Sequence, residues 1–277
     1  MRLLNSMTQV DSIRHHQSSA ALPTHSENPE DSSQNNQNHQ YFFHSASFLT
    51  QKRKPITASP SPSQFTPWLL SLAYPLGLYG ILPLYFGKIE VFGREHLPRT
   101  GPVILAPTHR SRWDSILVPL AAGYHITRRH LRFMVTADEV VGVQGWFIRR
   151  MGGFPIDTTR PAISSLRHGV DLLHQGEVLV IFPEGNIFRE QHVQRLKPGL
   201  ARLALQAETS SHIHLGIKIV PITLHYSHPL VPWRTRVKIK IGQPLQVNNY
   251  HLESPKQSAQ WLTRDLQQSM EQLVAMS

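Results

Sequence analysis

The pattern of apolar and polar positions divides the chain into stretches of different kind. Residues 1–62 show no period, and Ser26 to Gln40 is a polar run of low complexity. Such a run cannot bury enough apolar surface to offset the entropy of ordering it, so a disordered tail is expected. No apolar run with a small-residue cleavage site opens the chain, so no signal peptide is expected. The next stretch, FTPWLLSLAYPLGLYGILPLYFG over 65–87, has no charged residue. A helix that spans a bilayer needs roughly 20 apolar residues. This stretch is long enough, but Pro75, Gly77, Gly80 and Pro83 interrupt it. The pattern predicts a membrane-associated helical segment over 63–87, either a span or a broken hairpin in one leaflet. Trp68, Tyr74, Tyr79 and Tyr85 suit the headgroup level, and a buried core helix is the alternative reading.

From residue 88 the periods alternate. Ile89 and Val91, Val103 to Ala106, Phe133 to Val135, and Val178 to Phe182 read as strands. Ile217 to Tyr226 is a further strand, which Pro221 is expected to make irregular or place near an edge. Val237, Ile239 and Ile241 alternate with Arg236, Lys238 and Lys240, the mark of a half-exposed strand. Between the strands, Ile163, Leu166, Val170 and Leu173 share a helical face that follows Pro161 and ends at Gly176. Leu200, Leu203, Ala204 and Ala207 share a second, and Leu262, Leu266, Met270, Leu273 and Val274 a third. Alternating strands and helices predict an α/β fold, a mixed sheet flanked by helices. That domain is expected over 88–250, with an amphipathic helix over 251–277.

Composition narrows the function. The chain of 277 residues has 28 Lys and Arg against 18 Asp and Glu, a formal charge of +10. A balance this basic favours an anionic partner. The triplet Lys52-Arg53-Lys54 precedes the apolar stretch, where each charge near anionic lipid is worth roughly 1 kcal/mol. The basic residues are otherwise dispersed, with no finger or RNP-type motif, so no nucleic-acid partner is expected. There is no cysteine, which excludes disulfides, thiolate metal sites and a cysteine nucleophile. The pairs His15-His16 and His212-Ile213-His214 read as surface histidines, and no metal site is expected.

Candidate chemistry lies at strand ends, where α/β proteins place their sites. The segment Ala106-Pro107-Thr108-His109-Arg110-Ser111-Arg112-Trp113-Asp114-Ser115 follows one buried strand and precedes a helical run, Ile116 to Ala122. A spacing of five does not put His109 and Asp114 on one helix face. They must meet across a turn, with His109 outside the helix. An imidazole steered by a carboxylate suits proton removal from a hydroxyl. The alternative is a helix-capping Asp114 beside a loop histidine. Phe182-Pro183-Glu184-Gly185-Asn186 follows a second strand, Lys197-Pro198-Gly199 opens a helix, and Val220-Pro221-Ile222-Thr223 lies in a later strand.

These segments, in this order and at these separations, resemble the 1-acylglycerol-3-phosphate O-acyltransferases, over about residues 65 to 245. The resemblance implies a glycerolipid acyltransferase-like α/β fold anchored by N-terminal helices. It implies His109 as general base and Asp114 as its orienting carboxylate. Glu184 and Gly185 match the motif tied to the acceptor's glycerol phosphate, and Lys197 and Gly199 match a Lys-x-Gly that follows it. Val220 to Thr223 match a motif linked to the acyl donor or to structure. The implied donor is acyl-CoA or acyl carrier protein, with no cofactor. The implied acceptor is a lysophospholipid at a membrane phospholipid surface, with the site facing the cytoplasm. Two arginines depart from the pattern. The third motif usually continues Glu-Gly-Thr-Arg, but Asn186 and Ile187 stand here and an arginine appears at Arg189. The second motif usually ends Phe-Ile-Asp-Arg, but Asp157 is followed by Thr158 and the arginine is Arg160. Guanidinium grips phosphate in a fork, so Arg160 and Arg189 are the candidate phosphate ligands if the local backbone differs. Otherwise the acceptor is glycerol 3-phosphate, another lysophospholipid or a non-phosphate acceptor. Backbone amides at the helix start are expected to hold the oxyanion. An acyl-serine on Ser111 is set aside because no Gly-x-Ser-x-Gly surrounds it. A non-catalytic lipid-binding relative is the reading from a different class.

Overall fold

A computed structural model describes residues 64–157, 163–211, 214–251 and 254–276. The expected tail over 1–62, Lys52-Arg53-Lys54, His15-His16, Arg160 with its helix start, and His212 lie outside the described residues.

Helix α1 runs Pro67–Tyr85. Strands β1 (Lys88–Phe92) and β2 (Val103–Pro107) follow, then α2 (Asp114–Ala122) and the short α3 (Tyr124–Thr127). Next come β3 (Leu131–Thr136), α4 (Gly142–Arg150), β4 (Gly153–Ile156), α5 (Ile163–His174) and β5 (Val178–Val180). The last elements are α6 (Gly199–Ser210), β6 (Lys218–Tyr226), β7 (Arg236–Ile241), β8 (Leu245–Gln246) and α7 (Pro255–Ala275).

Among the described residues the strands form one eight-stranded sheet in the order β1-β7-β6-β2-β5-β3-β4, with β8 paired to β6 beside that path. Strands β6, β2, β5, β3 and β4 run parallel. Strand β6 is antiparallel to β7 and β8, and β1 is parallel to β7, so the sheet is mixed. The parallel strands are covered on both faces, which explains their unbroken apolar runs. One face packs Ile104, Ala106, Leu179 and Ile219 against α5, α6 and α7. The other packs Val103, Leu105, Val180, Val220 and Ile222 against α1 and α2. Each of these Val, Leu and Ile side chains contributes roughly 1.5–3 kcal/mol on burial.

Three local expectations are corrected. Pro221 does not push β6 to an edge, because β6 lies between β2 and β7. Its antiparallel partner is β8 at Lys218 and Ile219, then β7 from Ile222 onward. Pro221 falls at the change of partner, where its carbonyl accepts Gly242 N–H at 2.9 Å. The missing proline N–H points to the same gap and leaves no ladder bond unmade. Ile163, the first residue of α5, is 76% exposed. The apolar stripe of that helix meets the sheet only from Ser165 and Leu166 onward.

The third correction concerns α1. It is one continuous helix rather than a hairpin, with a wide π-helical turn at Leu76–Ile81. Proline at positions 75 and 83 removes ladder donors, and the wide turn absorbs the loss. One flank buries Leu69, Leu70, Leu78 and Leu82. The opposite flank exposes Trp68, Leu72, Leu76, Tyr79 and Leu84. Two of the tyrosines expected at headgroups turn inward. Tyr85 OH donates to the Val231 carbonyl at 2.7 Å, and Tyr74 lies edge-on to His130.

Candidate active site

Strand β2 ends in a turn that is held before α2 begins. Thr108 N–H donates to the Ile222 carbonyl at 2.9 Å, and its Oγ1 accepts Leu224 N–H at 2.9 Å. These bonds carry the β2–β6 pairing into the turn. The chain then doubles back, and His109 Nδ1 lies 2.9 Å from Asp114 Oδ2. The same carboxylate oxygen accepts Arg110 N–H at 2.7 Å and Ser111 N–H at 2.9 Å. Asp114 Oδ1 accepts the hydroxyl of Tyr226 in a short bond. Asp114 is fully buried, and a buried carboxylate is costly unless it is hydrogen-bonded in this way. It also opens α2, where the helix dipole favours a negative charge. Burial first, and then the Asp114 carboxylate, push the Tyr226 phenol far above its ordinary value. The phenol therefore remains a donor.

An ionised carboxylate only accepts, so the Asp114 contact places the proton on His109 Nδ1. Nε2 is then the free base, on a side chain that keeps 20% of its surface exposed. The imidazole stacks on Phe182 at 4.0 Å between centroids. Its main chain is fixed as well: His109 N–H donates to Glu184 Oε2 at 2.8 Å, and its carbonyl accepts Phe188 N–H at 2.8 Å.

Glu184 holds an arginine in place. Its side chain is fully buried and faces Arg110. Arg110 donates to both carboxylate oxygens, at 2.7 and 3.0 Å. Gln194 N–H donates to Oε1 at 2.9 Å. Both carboxylate oxygens are engaged, so Glu184 positions the turn that carries His109. Gly185 adopts a left-handed φ of 73°. A Cβ there would come within 2.6 Å of Lys197 Nζ, so the glycine lets the exposed Lys197 side chain cross it. Arg189 is exposed on the same loop. The structure thus gathers His109, Asp114 and Glu184, and pairs Gly185 with Lys197.

Four of the amides at the head of α2 are already bonded within the turn. Those of Arg110 and Ser111 serve Asp114, and those of Trp113 and Asp114 bond Ser111. Two residues of the site had no assigned role in the sequence reading, Arg110 and Tyr226. Tyr226 closes a strand at the same sheet end as His109, a signal available in sequence. The partner of Arg110 became visible only once β2 and β5 were known to be neighbours. The end of α1 also reaches the site: Tyr85 and Phe86 pack on Trp113 at 4.3 and 5.3 Å, and Phe86 lies 6.4 Å from Tyr226.

Residues 88–225 match the Acyltransferase family. The 1-acyl-sn-glycerol-3-phosphate acyltransferase of Streptococcus pneumoniae is 27% identical over 185 residues, covering 62% of this chain and 62% of its own. The enzyme of the same name from Bacillus subtilis is 27% identical over 193 residues, 68% of this chain and 88% of its own. This chain thus spans less than two thirds of the pneumococcal relative. The fold is similar to the crystal structure of the 1-acyl-sn-glycerophosphate (LPA) acyltransferase PlsC of Thermotoga maritima. The TM-score is 0.55 at 20% identity, over 86% of this chain and 89% of that one. With its sheet and these relatives, the chain belongs to the acyltransferase family and is similar to the 1-acyl-sn-glycerol-3-phosphate acyltransferases named above.

Proposed function

We propose that this acyltransferase moves a fatty acyl group from an acyl-CoA or acyl carrier protein thioester to the sn-2 hydroxyl of 1-acyl-sn-glycerol 3-phosphate, forming phosphatidic acid. The observation that carries the reading is the His109 imidazole, with Nδ1 bound to the buried Asp114 carboxylate and Nε2 left as base. Nε2 takes the proton of the acceptor hydroxyl as its oxygen attacks the thioester carbonyl. The C–S bond breaks, and the leaving thiolate takes the proton back from the imidazolium. Asp114 stabilises that imidazolium, and Tyr226 stabilises Asp114. A positioned base of this kind supplies roughly 10²–10⁴-fold. Lys197 and Arg189 are the exposed cations on the loop that follows Glu184, and they are proposed to meet the acceptor phosphate together with Arg160.

The exposed flank of α1 supports a place at the membrane surface, and the site is proposed to face the cytoplasm. One flank of the helix is packed on the domain, so it is proposed to lie in one leaflet rather than cross the bilayer. Leu230 and Trp233, exposed beside its C-terminal end, extend that surface; Trp233 Nε1–H donates to the Leu84 carbonyl at 2.9 Å.

A second reading, with glycerol 3-phosphate or another lysophospholipid as acceptor, is favoured by Ile187, an apolar residue where the motif usually holds arginine. Thiol release by membranes containing the full chain decides between them, with lysophosphatidic acid, glycerol 3-phosphate and lysophosphatidylglycerol compared and His109→Ala as control. Release with lysophosphatidic acid alone, lost in the variant, is the expected result. Release only with another acceptor moves the substrate, and release that persists in His109→Ala removes the assigned base.

A further inference from the structure

Helix α1 ends against the turn that carries His109. The ring of its last residue, Tyr85, lies 4.3 Å from that of Trp113 and is tilted by 31°. Phe86 follows, buried, with its ring near-perpendicular to Trp113 at 5.3 Å and 6.4 Å from Tyr226. Trp113 immediately precedes Asp114, and its carbonyl accepts the Ile116 and Leu117 amides at 3.0 and 2.9 Å, the bonds that start α2. Tyr226 holds Asp114 Oδ1 from the other side. The end of α1 therefore touches both the residue that leads into Asp114 and the residue that grips its side chain.

Tyr85 is itself fixed from two directions. Its hydroxyl donates to the Val231 carbonyl at 2.7 Å, and its own carbonyl accepts Arg234 N–H at 2.7 Å. Both partners belong to the loop 227–235, which leaves β6 directly after Tyr226. In that loop Val231 and Arg234 hold left-handed φ values of 49° and 66°, a region that a β-branched residue rarely enters. Backbone of this kind persists only where its surroundings over-determine it, and it gathers at functional sites. The contact is close: a Cβ on Gly87 would meet the Arg234 carbonyl at 2.5 Å. The groups close a circuit. Tyr85 stacks on Trp113, Trp113 leads into Asp114, Asp114 bonds Tyr226, and Tyr226 leads into the loop that grips Tyr85.

We propose that Tyr85 and Trp113 are positioning residues for acyl transfer: their stack sets Asp114, and through it the His109 imidazole, so that α1 is a working part of the catalytic site. The proposal rests on the acyl-transfer reading. A misplacement of about 1 Å caused from outside the chemistry costs as much as about 10²-fold in rate. Tyr85 and Trp113 are each only half-buried, so trimming either ring disturbs the core less than removing Phe86.

The test uses the full chain, with palmitoyl-CoA and the three acceptors named above for turnover. Isotope-labelled histidine reads the His109 ring by NMR, and His109→Ala identifies its signal. Tyr85→Leu and Trp113→Leu, from either side of the stack, are each expected to lower kcat about ten- to a hundredfold with unchanged KM for donor and acceptor. In both, the Nδ1–H signal of His109 should weaken as its bond to Asp114 loosens. Tyr85→Phe, which keeps the ring and loses only the hydroxyl, should restore most of the rate and of the signal. A raised KM at unchanged kcat would put the two rings on substrate and overturns the proposal. A fall in kcat with the His109 signal intact overturns it too, as does a native rate in both leucine variants or a Tyr85→Phe chain as impaired as Tyr85→Leu. If wild type releases no thiol with any acceptor, the acyl-transfer reading fails, and the His109 signal alone then decides whether the stack positions that ring.

Discussion

Arg110 and Glu184 form a two-pronged ion pair at 2.7 and 3.0 Å, with both side chains out of solvent. The pair joins the turn after β2 to the turn after β5, and the same carboxylate holds His109 N–H. Removing one partner strands the other charge in the interior, which costs roughly 3–5 kcal/mol. Glu184→Gln is expected to lower stability by about that amount, and Arg110→Met likewise. Denaturant titration of the variants checks it. A Glu184→Gln chain with native stability but a raised KM for the acceptor would instead make Glu184 a direct ligand.

Asp114→Asn keeps the shape of the side chain and loses its charge. The amide presents either a donor or a weaker acceptor to Nδ1, so the tautomer and the imidazolium both lose support. A fall in kcat of up to about 10⁴ is expected, by the size of this effect in serine protease triads. Steady-state rates at pH 7 measure it, with an unchanged KM as the mark of lost base function.

Tyr226 links the site to pH. Its folded pKa is raised above the ordinary 10.0, so the folded state holds its proton where the unfolded chain has released it. The stability this group contributes is complete below pH 10.0 and is lost progressively above it. Between pH 10 and 11.5 the Tm of wild type is expected to fall more steeply than that of Tyr226→Phe, with about equal slopes at pH 7 to 9. Equal slopes throughout would show that the phenol is not held in this way.

Gly185→Ala forces a left-handed φ of 73° on a residue with a Cβ and presses that atom toward Lys197. Strain of about 1–2 kcal/mol is expected, with Lys197 displaced. If Lys197 meets the acceptor phosphate, Gly185→Ala and Lys197→Ala each raise the acceptor KM, and the double variant adds little. Additive effects on KM would separate the two residues.

Leu72→Asp/Leu76→Asp changes only the exposed flank of α1. Burial of a leucine contributes roughly 1.5–3 kcal/mol, so partition to vesicles should fall at least about tenfold for each side chain withdrawn from lipid. Tm should not move. Cosedimentation with anionic vesicles reads the first, and a thermal melt the second. Unchanged cosedimentation would transfer the membrane contact to another surface.

Much of this architecture was legible because its strands are short apolar runs and its helices carry stripes. The period of β7 alone marks its exposed and buried faces. Helix geometry put His109 outside the helix, since a spacing of five can close only across a turn, while its pairing with Asp114 was what the family resemblance implied. The partner of Arg110 was not legible, because its acceptor is 74 residues away and the strand order that joins them has no local signature. Position β6 was misjudged for a related reason. A proline is tolerated in a central strand where the neighbouring strand changes, and that change is a tertiary fact. Helix α1 resisted for a third reason, since prolines that would break an ordinary helix are accommodated by one widened turn.

The clamp on His109 also has a kinetic consequence. Its contacts come from Asp114, Glu184 and Phe188, and Tyr226 in turn holds Asp114; the distant members of this set meet only when β2 lies between β5 and β6. Loop closure over such separations is slow compared with helix formation. On dilution from denaturant, helical signal should therefore return first, and turnover only after the central strands have zipped together.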